Sequence, residues 1–225
     1  VGSFGHISTW SFCQDKIIST GGEGGMISTN NKKLWLKIWS LKDHGKNYKS
    51  VFYKKHKTVF KWLHDDLGSN YRMTEIQAVI GREQLRLLDK QIKKRNLIAN
   101  LYLNGLKDYY LKYDILKKPD FKIQNYFLKK DTRYYRQHIH AFYRLNLFVN
   151  KNKIKQNKLI QQLQKNKIDC GVGSCPEIYR EKIFKKLKFY PKKRLLNAKL
   201  LGETSIMFPI NPYKALTKIK SEINS

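Results

Sequence analysis

Apolar and polar positions follow distinct patterns in successive stretches of the chain. From Val1 to about Thr29, short apolar runs broken by glycine, "HISTWSF", "KIIST" and "GGMIST", predict strands of an interior sheet. The run "NNKKLWLKIWSLKDHG" places Leu34, Ile38 and Leu41 at helical spacing, flanked by Trp35 and Trp39, and predicts a helix that stops at His44-Gly45. Core packing is the expected role of both tryptophans. Tyr48 to Gly68 is polar and aromatic-rich without a period, and its length points to a functional loop rather than a plain connection.

The strongest helical signal is "NYRMTEIQAVIGREQLRLLDKQIKKRNLIANLYLNGL". Thr74 is placed to cap it, and Ile76, Val79, Ile80, Leu85, Leu87, Leu88, Ile92 and Ile98 supply apolar faces over many turns. Asn104-Gly105 ends or bends it, and a helix of this length commonly bridges two domains. After Lys107 the pattern alternates: a strand "HIHAFYRLNLFV", a helix "NKIKQNKLIQQLQKNKI", a turn "CGVGSCPEIY", a helix around "RLLNAKLLGE", a strand "TSIMFPI" and a short terminal helix. This predicts an α/β chain in two parts, residues 1–105 ending in the long connecting helix and residues 106–225 as a smaller α/β domain.

Composition sets bounds on that picture. A chain of 225 residues with 41% hydrophobic content can bury a core. No run approaches the roughly eighteen apolar residues of a membrane span, so a soluble globular protein without a membrane partner is expected. Cys13, Cys170 and Cys175 form no disulfide framework, and nothing at the N-terminus reads as a signal peptide, which points to a reduced, cytoplasmic setting. "CGVGSC" is not C-x-x-C and has no second pair, so no metal site is expected. The chain begins at Val1 in a running strand-and-turn pattern and reads as a piece of a longer protein.

Forty-six Lys and Arg against seventeen Asp and Glu give a formal net charge of +29, which invites a nucleic-acid reading. The lysines are spread through every segment, often beside Asn and Ile as in "NKNKIKQNKLIQQLQKNKI", and no nucleic-acid motif accompanies them. A/T-rich codons produce that composition without a binding function, and no nucleic-acid partner is expected.

The candidate chemistry begins at "FCQDKIISTGGEGGMI", where Lys16 precedes four glycines around one glutamate. Glycine-rich loops cradle phosphates through bare backbone N–H groups. This one has neither G-x-x-x-x-G-K-[ST] nor G-x-G-x-x-G, and its glutamate repels phosphate. A tight turn between buried strands is the plain alternative. A lysine in such a segment would be partly desolvated, and desolvation lowers an amine's pKa and makes it competent to condense with an aldehyde.

A run of phrases in order, "GSFGHISTWSF", "DKIISTGGEGGMIST", "LKDHGKNY", "FKWLHDDLGSNYRMTEIQAVIGREQL", "GSCPEIYREKIF" and "LGETSIMFPINP", resembles the DegT/DnrJ/StrS family of pyridoxal phosphate-dependent sugar aminotransferases over nearly the whole chain. The resemblance implies the type I aminotransferase fold, with the end of the large domain followed by the small C-terminal α/β domain. It implies that Lys16 joins pyridoxal 5'-phosphate through its amine and later shuttles a proton, and that the Ser11 hydroxyl binds the cofactor phosphate. Asn70, in "GSNYRMTE", matches an asparagine that reaches the phosphate of a neighbouring subunit, which implies a homodimer. Arg72 matches a further phosphate or dimer contact, and His44-Gly45 and His140 stand where the family lines its substrate pocket.

The implied reaction moves an amino group, from glutamate, to a keto group of a nucleotide-activated sugar. Dehydrating relatives replace the lysine with histidine, so Lys16 favours transamination. The family's pyridinium aspartate, ring-stacking residue and small-residue phosphate loop lie upstream of the segment matching Val1, so these 225 residues alone are expected to bind the cofactor poorly. Two alternatives stay open: a noncatalytic, basic binding module that retains the fold, and a regulatory or dehydrating relative.

Overall fold

A computed structural model describes residues 2, 4–57, 59–118 and 140–224. The chain divides into two compact units, Val1–Leu88 and Asp89–Ser225.

The first unit opens on a hairpin. β1 (Ser8–Ser11) pairs antiparallel with β2 (Gly25–Ser28), Ser8 opposite Ser28 and Ser11 opposite Gly25. Among the described residues this ladder has two strands, and Met26 is 51% exposed where the pattern predicted interior sheet. The expected strand "KIIST" is absent. Lys16 N donates to Cys13 O at 3.0 Å, and Thr20 N returns to Phe12 O at 3.2 Å, while Phe12 N donates to Gly24 O at 2.8 Å. Thr20 closing back on Phe12 leaves residues 13–19 as an excursion with no ladder to join.

α1 (Lys32–Lys42) starts at Asn31, whose side chain accepts from Lys33 N at 3.0 Å and Leu34 N at 3.2 Å. It ends where Gly45 N returns to Ser40 O at 2.8 Å, at the expected glycine. α2 (Tyr48–Phe52) lies inside the stretch expected to be loop, and is short enough to escape a periodicity reading. Trp35 and Trp39 each meet the Tyr48 ring edge-on at 4.9 Å. Trp35 remains 40% exposed, so this is a half-buried aromatic cluster rather than a core.

α3 (Glu75–Gly105) is the predicted long helix, and the division between the units falls within it. Thr74 and Gln77 form a reciprocal cap: Gln77 N donates to Thr74 Oγ1 at 3.3 Å and Thr74 N to Gln77 Oε1 at 3.0 Å.

The second unit carries a four-stranded antiparallel sheet: β3 (Leu116–Lys117), β4 (Arg144–Val149), β5 (Gly171–Val172) and β6 (Ser205–Pro209), in spatial order β3-β4-β6-β5. Period-2 alternation buries Leu145, Leu147 and Val149 of β4, and Ile206 and Phe208 of β6. Leu145 faces Phe208 and Leu147 faces Ile206 in register. α4 (Lys107–Leu111), α5 (Gln156–Lys165), α6 (Lys182–Lys186), α7 (Leu196–Thr204) and α8 (Leu216–Asn224) complete it. The predicted strand's first residues, 138 and 139, lie outside the described residues.

Ile98, Ala99 and Tyr102 from α3, Ile160 from α5 and Ile219 from α8 cover the sheet. α3 ends at Gly105 as predicted, and a Cβ at that position would collide with Ile223 of α8. Among the described residues every buried hydrophobic side chain belongs to this unit; the buried side chains of the first are Thr20, Ser40, Asp43 and Ser50.

Candidate active site

Ser11 and Lys16 share the excursion that follows β1. Ser11 is exposed at the strand's last position, and its Oγ accepts from Cys13 N at 3.4 Å. Lys16 Nζ lies 2.6 Å from Asp15 Oδ1, with its side chain 35% exposed. The partial desolvation expected of Lys16 is therefore present, although no strand carries the residue. It stands half-buried on an excursion, next to a carboxylate.

The glycines after Lys16 serve turning and close approach. Gly21 and Gly22 adopt φ of +79° and +144°, conformations an L side chain rarely takes. A Cβ on Gly24 would collide with Thr20 Oγ1, and one on Gly25 would stand 2.9 Å from Trp10 O. Glu23, between them, anchors the turn through its backbone: its carbonyl accepts from Thr20 Oγ1 at 3.2 Å and from Gln77 Nε2 at 2.9 Å. The start of α3 is thereby tied to the turn that carries Lys16.

His44, Asn70 and Arg72 come together elsewhere in the same unit, around a residue the sequence reading missed. Asp43 pairs with Asn70 as an isolated antiparallel bridge, and His44 N donates to Ser69 O at 3.2 Å. The Asp43 carboxylate, itself buried, meets Lys46 Nζ at 3.2 Å and Arg72 Nη1 at 3.4 Å, and Arg72 Nε donates to Asn70 Oδ1 at 3.0 Å. Desolvation pushes the Asp43 carboxyl up. Its hydrogen bond to Lys46 and the charges of Lys46, Arg72 and Lys42 outweigh that, and hold it below the usual carboxylate range. His44 is exposed and adopts φ +58°. The signal for Asp43 was its place in "LKDHGK", with a lysine three residues on.

His140 lies in the other unit. Its Nδ1 accepts from Phe142 N at 3.0 Å, its carbonyl accepts from Asn96 Nδ2 at 2.8 Å, and burial pushes its imidazole below the ordinary value. Beside it, Arg95 Nη1 donates to Phe142 O at 3.3 Å and to Ile210 O at 2.5 Å. The backbone at the head of β4 and the foot of β6 is thus held by one buried guanidinium.

Among the described residues no group of three or more His, Cys, Asp or Glu is placed to hold a metal. Among them also, no helix is long and apolar enough to cross a membrane. Cys170 is buried, and desolvation together with the charge of Asp169 pushes its thiol up to about 11, whereas Cys175 is exposed.

The model of the DegT/DnrJ/EryC1/StrS aminotransferase family matches residues 1–222. The crystal structure of an aminotransferase from Psychrobacter cryohalolentis is 38% identical with a TM-score of 0.88, covering 100% of this chain and 55% of that one. GDP-perosamine synthase of Escherichia coli O157:H7 is 42% identical over 106 residues, 47% of this chain and 26% of its own. An uncharacterized protein of Methanocaldococcus jannaschii is 28% identical over 214 residues, 94% of this chain and 50% of its own. The chain thus spans about half the length of the relatives it matches most fully.

Proposed function

This chain belongs to the DegT/DnrJ/EryC1/StrS aminotransferase family and has the type I fold of pyridoxal phosphate-dependent aminotransferases, and on that premise we propose that it is the lysine-bearing part of a sugar aminotransferase. The reaction moves an amino group, from glutamate, to a keto group of a nucleotide-activated sugar during glycan precursor synthesis. The observation that carries this reading is the pairing of Ser11 and Lys16 on one glycine-closed excursion.

The residues present fit the cofactor. Lys16 offers a half-buried primary amine, Ser11 an exposed hydroxyl at a strand end, and Gly21, Gly22, Gly24 and Gly25 keep side chains from crowding the turn. Lys16 would hold pyridoxal 5'-phosphate through its amine and Ser11 through its phosphate, with Asn70 serving the phosphate of a partner in a homodimer. When bound, the cofactor supplies the electron sink that makes an amine's α-proton removable. Lys16 Nζ carries that proton, and Asp15, at 2.6 Å, stabilises the ammonium when it is held. Arg72, His44 and His140 are assigned to the substrate, the first held in place by Asp43. A division into large and small domains after residue 105 and a cytoplasmic location belong to the same proposal.

The test uses the full-length protein. Borohydride reduction in the presence of pyridoxal phosphate should label Lys16 in peptide mass spectra. Lys16→Ala should abolish amination of a keto-sugar nucleotide with glutamate as donor. Amination that survives Lys16→Ala would remove the reading.

A further inference from the structure

Phe142 is held in a conformation that bulky side chains rarely take. It is buried, and its φ is +43°, in the left-handed region. Such strain persists only where the surroundings over-determine it, and contacts of three kinds do so here. Phe142 N donates to His140 Nδ1 at 3.0 Å, Arg95 Nη1 donates to Phe142 O at 3.3 Å, and the rings of His140 and Phe142 lie with centroids 4.3 Å apart.

The same turn is tied to α3 a second time. Asn96 Nδ2 donates to His140 O at 2.8 Å and to Ile92 O of its own helix at 2.9 Å. Arg95 and Asn96, consecutive on α3, thus hold the two ends of the segment 140–142, just before β4 begins at Arg144. The turn fixes more than the backbone. A backbone N–H can only donate, so His140 Nδ1 presents a lone pair to Phe142 N and carries no proton. A neutral ring then has its proton on Nε2. The residue is exposed overall, yet partial desolvation pushes its imidazole below the ordinary value, which agrees with a ring that stays neutral.

We propose that Arg95 and Asn96 are positioning residues that hold His140 with its proton on Nε2, and that His140 serves the sugar substrate as a hydrogen-bond donor rather than as an acid or base. Its partner is an acceptor oxygen of the sugar, a hydroxyl or the keto group. To take a proton, His140 would have to break the bond from Phe142 N, and to give one it would have to become an anion. The donor role rests on the assignment of His140 to the substrate above, and goes beyond it in fixing which atom acts and what holds it there.

The test uses the full-length protein with isotope-labelled histidine. In nitrogen NMR at neutral pH, with the signal assigned by its loss in His140→Ala, Nδ1 should resonate as an unprotonated nitrogen and Nε2 as a protonated one. Asn96→Ala should move the two shifts toward each other, as mixed tautomers do. It should also raise the KM for a keto-sugar nucleotide about fivefold with kcat little changed, the loss expected of one neutral hydrogen bond. His140→Ala should show the same rise in KM. His140→Gln, whose amide keeps a donor and has no basic nitrogen, should restore most of the affinity. Unchanged circular dichroism in each variant checks the fold. A protonated Nδ1, or shifts that Asn96→Ala leaves in place, would overturn the positioning. A fall in kcat rather than a rise in KM, in His140→Ala and His140→Gln alike, would overturn the donor role. Borohydride labelling of Lys16 separates this outcome from that of the aminotransferase reading. A label with a protonated Nδ1 sinks the positioning of His140 alone, whereas the expected tautomer without a label leaves the positioning standing and removes the substrate role together with the aminotransferase reading.

Discussion

Gly45 and Gly68 meet backbone to backbone: a Cβ built on Gly68 would overlap the Gly45 nitrogen, and one built on Gly45 the carbonyl oxygen of Asp66. Gly45 also has φ +79°, a conformation that glycine adopts at little cost. This approach lays residues 41–46 beside residues 64–71 and so sets Asp43, Asn70 and Arg72 into one cluster. Gly68→Ala should force the segments apart at a cost of about 1–3 kcal/mol, the usual range for overpacking. Amide exchange should quicken at His44, Ser69 and Tyr71, whose N–H groups bond across the approach. Unchanged exchange at all three would show that the glycines are not needed there.

At the start of α3, Thr74→Ala should cost about 1 kcal/mol in denaturant unfolding, the usual loss of a capping hydroxyl. Gln77→Ala should cost more. It removes its half of the reciprocal cap and also the amide that donates to Glu23 O at 2.9 Å. If Thr74→Ala proved the worse of the two, the bond to Glu23 would carry no stability.

How much of this was legible in sequence depended on the range of the interaction. α3 was readable because its apolar positions recur over many turns, and its end at Gly105 was readable too, whereas the need for glycine beside Ile223 of α8 is not local. Ile17 and Ile18 looked like strand because β-branched residues favour it, but the return of Thr20 to Phe12 overrides that preference. Ser11 and Lys16 stand five apart in sequence, and the structure keeps both on the excursion that follows β1. Asp43 was only half legible: Lys46, three residues on, marks it locally, but its second partner, Arg72, lies far along the chain. The strand around Lys16 was misjudged for a related reason: the excursion leaves the ladder, although Lys16 itself stays half-buried.

Among the described residues Arg95 is the buried cation of the second unit. Desolvation pushes its guanidinium below the ordinary value, against the pull of Tyr213 and Tyr143, and its Nη1 serves the carbonyls of Phe142 and Ile210. Two hydrogen bonds from a charged donor are each worth about 1.5–3 kcal/mol, and the burial penalty offsets part of that. Arg95→Met should therefore destabilise by on the order of 2 kcal/mol, because two buried carbonyls lose their donor. The loss should appear as faster amide exchange in β4 and β6, and a variant as stable as the parent would mean that those carbonyls find other partners.

The last prediction concerns pH. The fork of Arg194 holds Glu177, Nε at 2.8 Å and Nη2 at 2.6 Å, and Tyr179 OH adds a third bond at 2.6 Å. These hydrogen bonds, Arg194 first and Tyr179 next, outweigh desolvation and bring the carboxyl down to about 2 from an ordinary 4.5. A carboxyl lowered on folding binds fewer protons in the native state than in the unfolded one. Its contribution is therefore complete above about pH 4.5 and is lost as pH falls toward 2. Glu177→Gln should melt below the parent at pH 6, and the gap should close between pH 4.5 and 2. Taking the difference between the two proteins cancels the titration of other carboxylates such as Asp43. A gap that stayed constant down to pH 2 would show that Glu177 is not held ionised by Arg194.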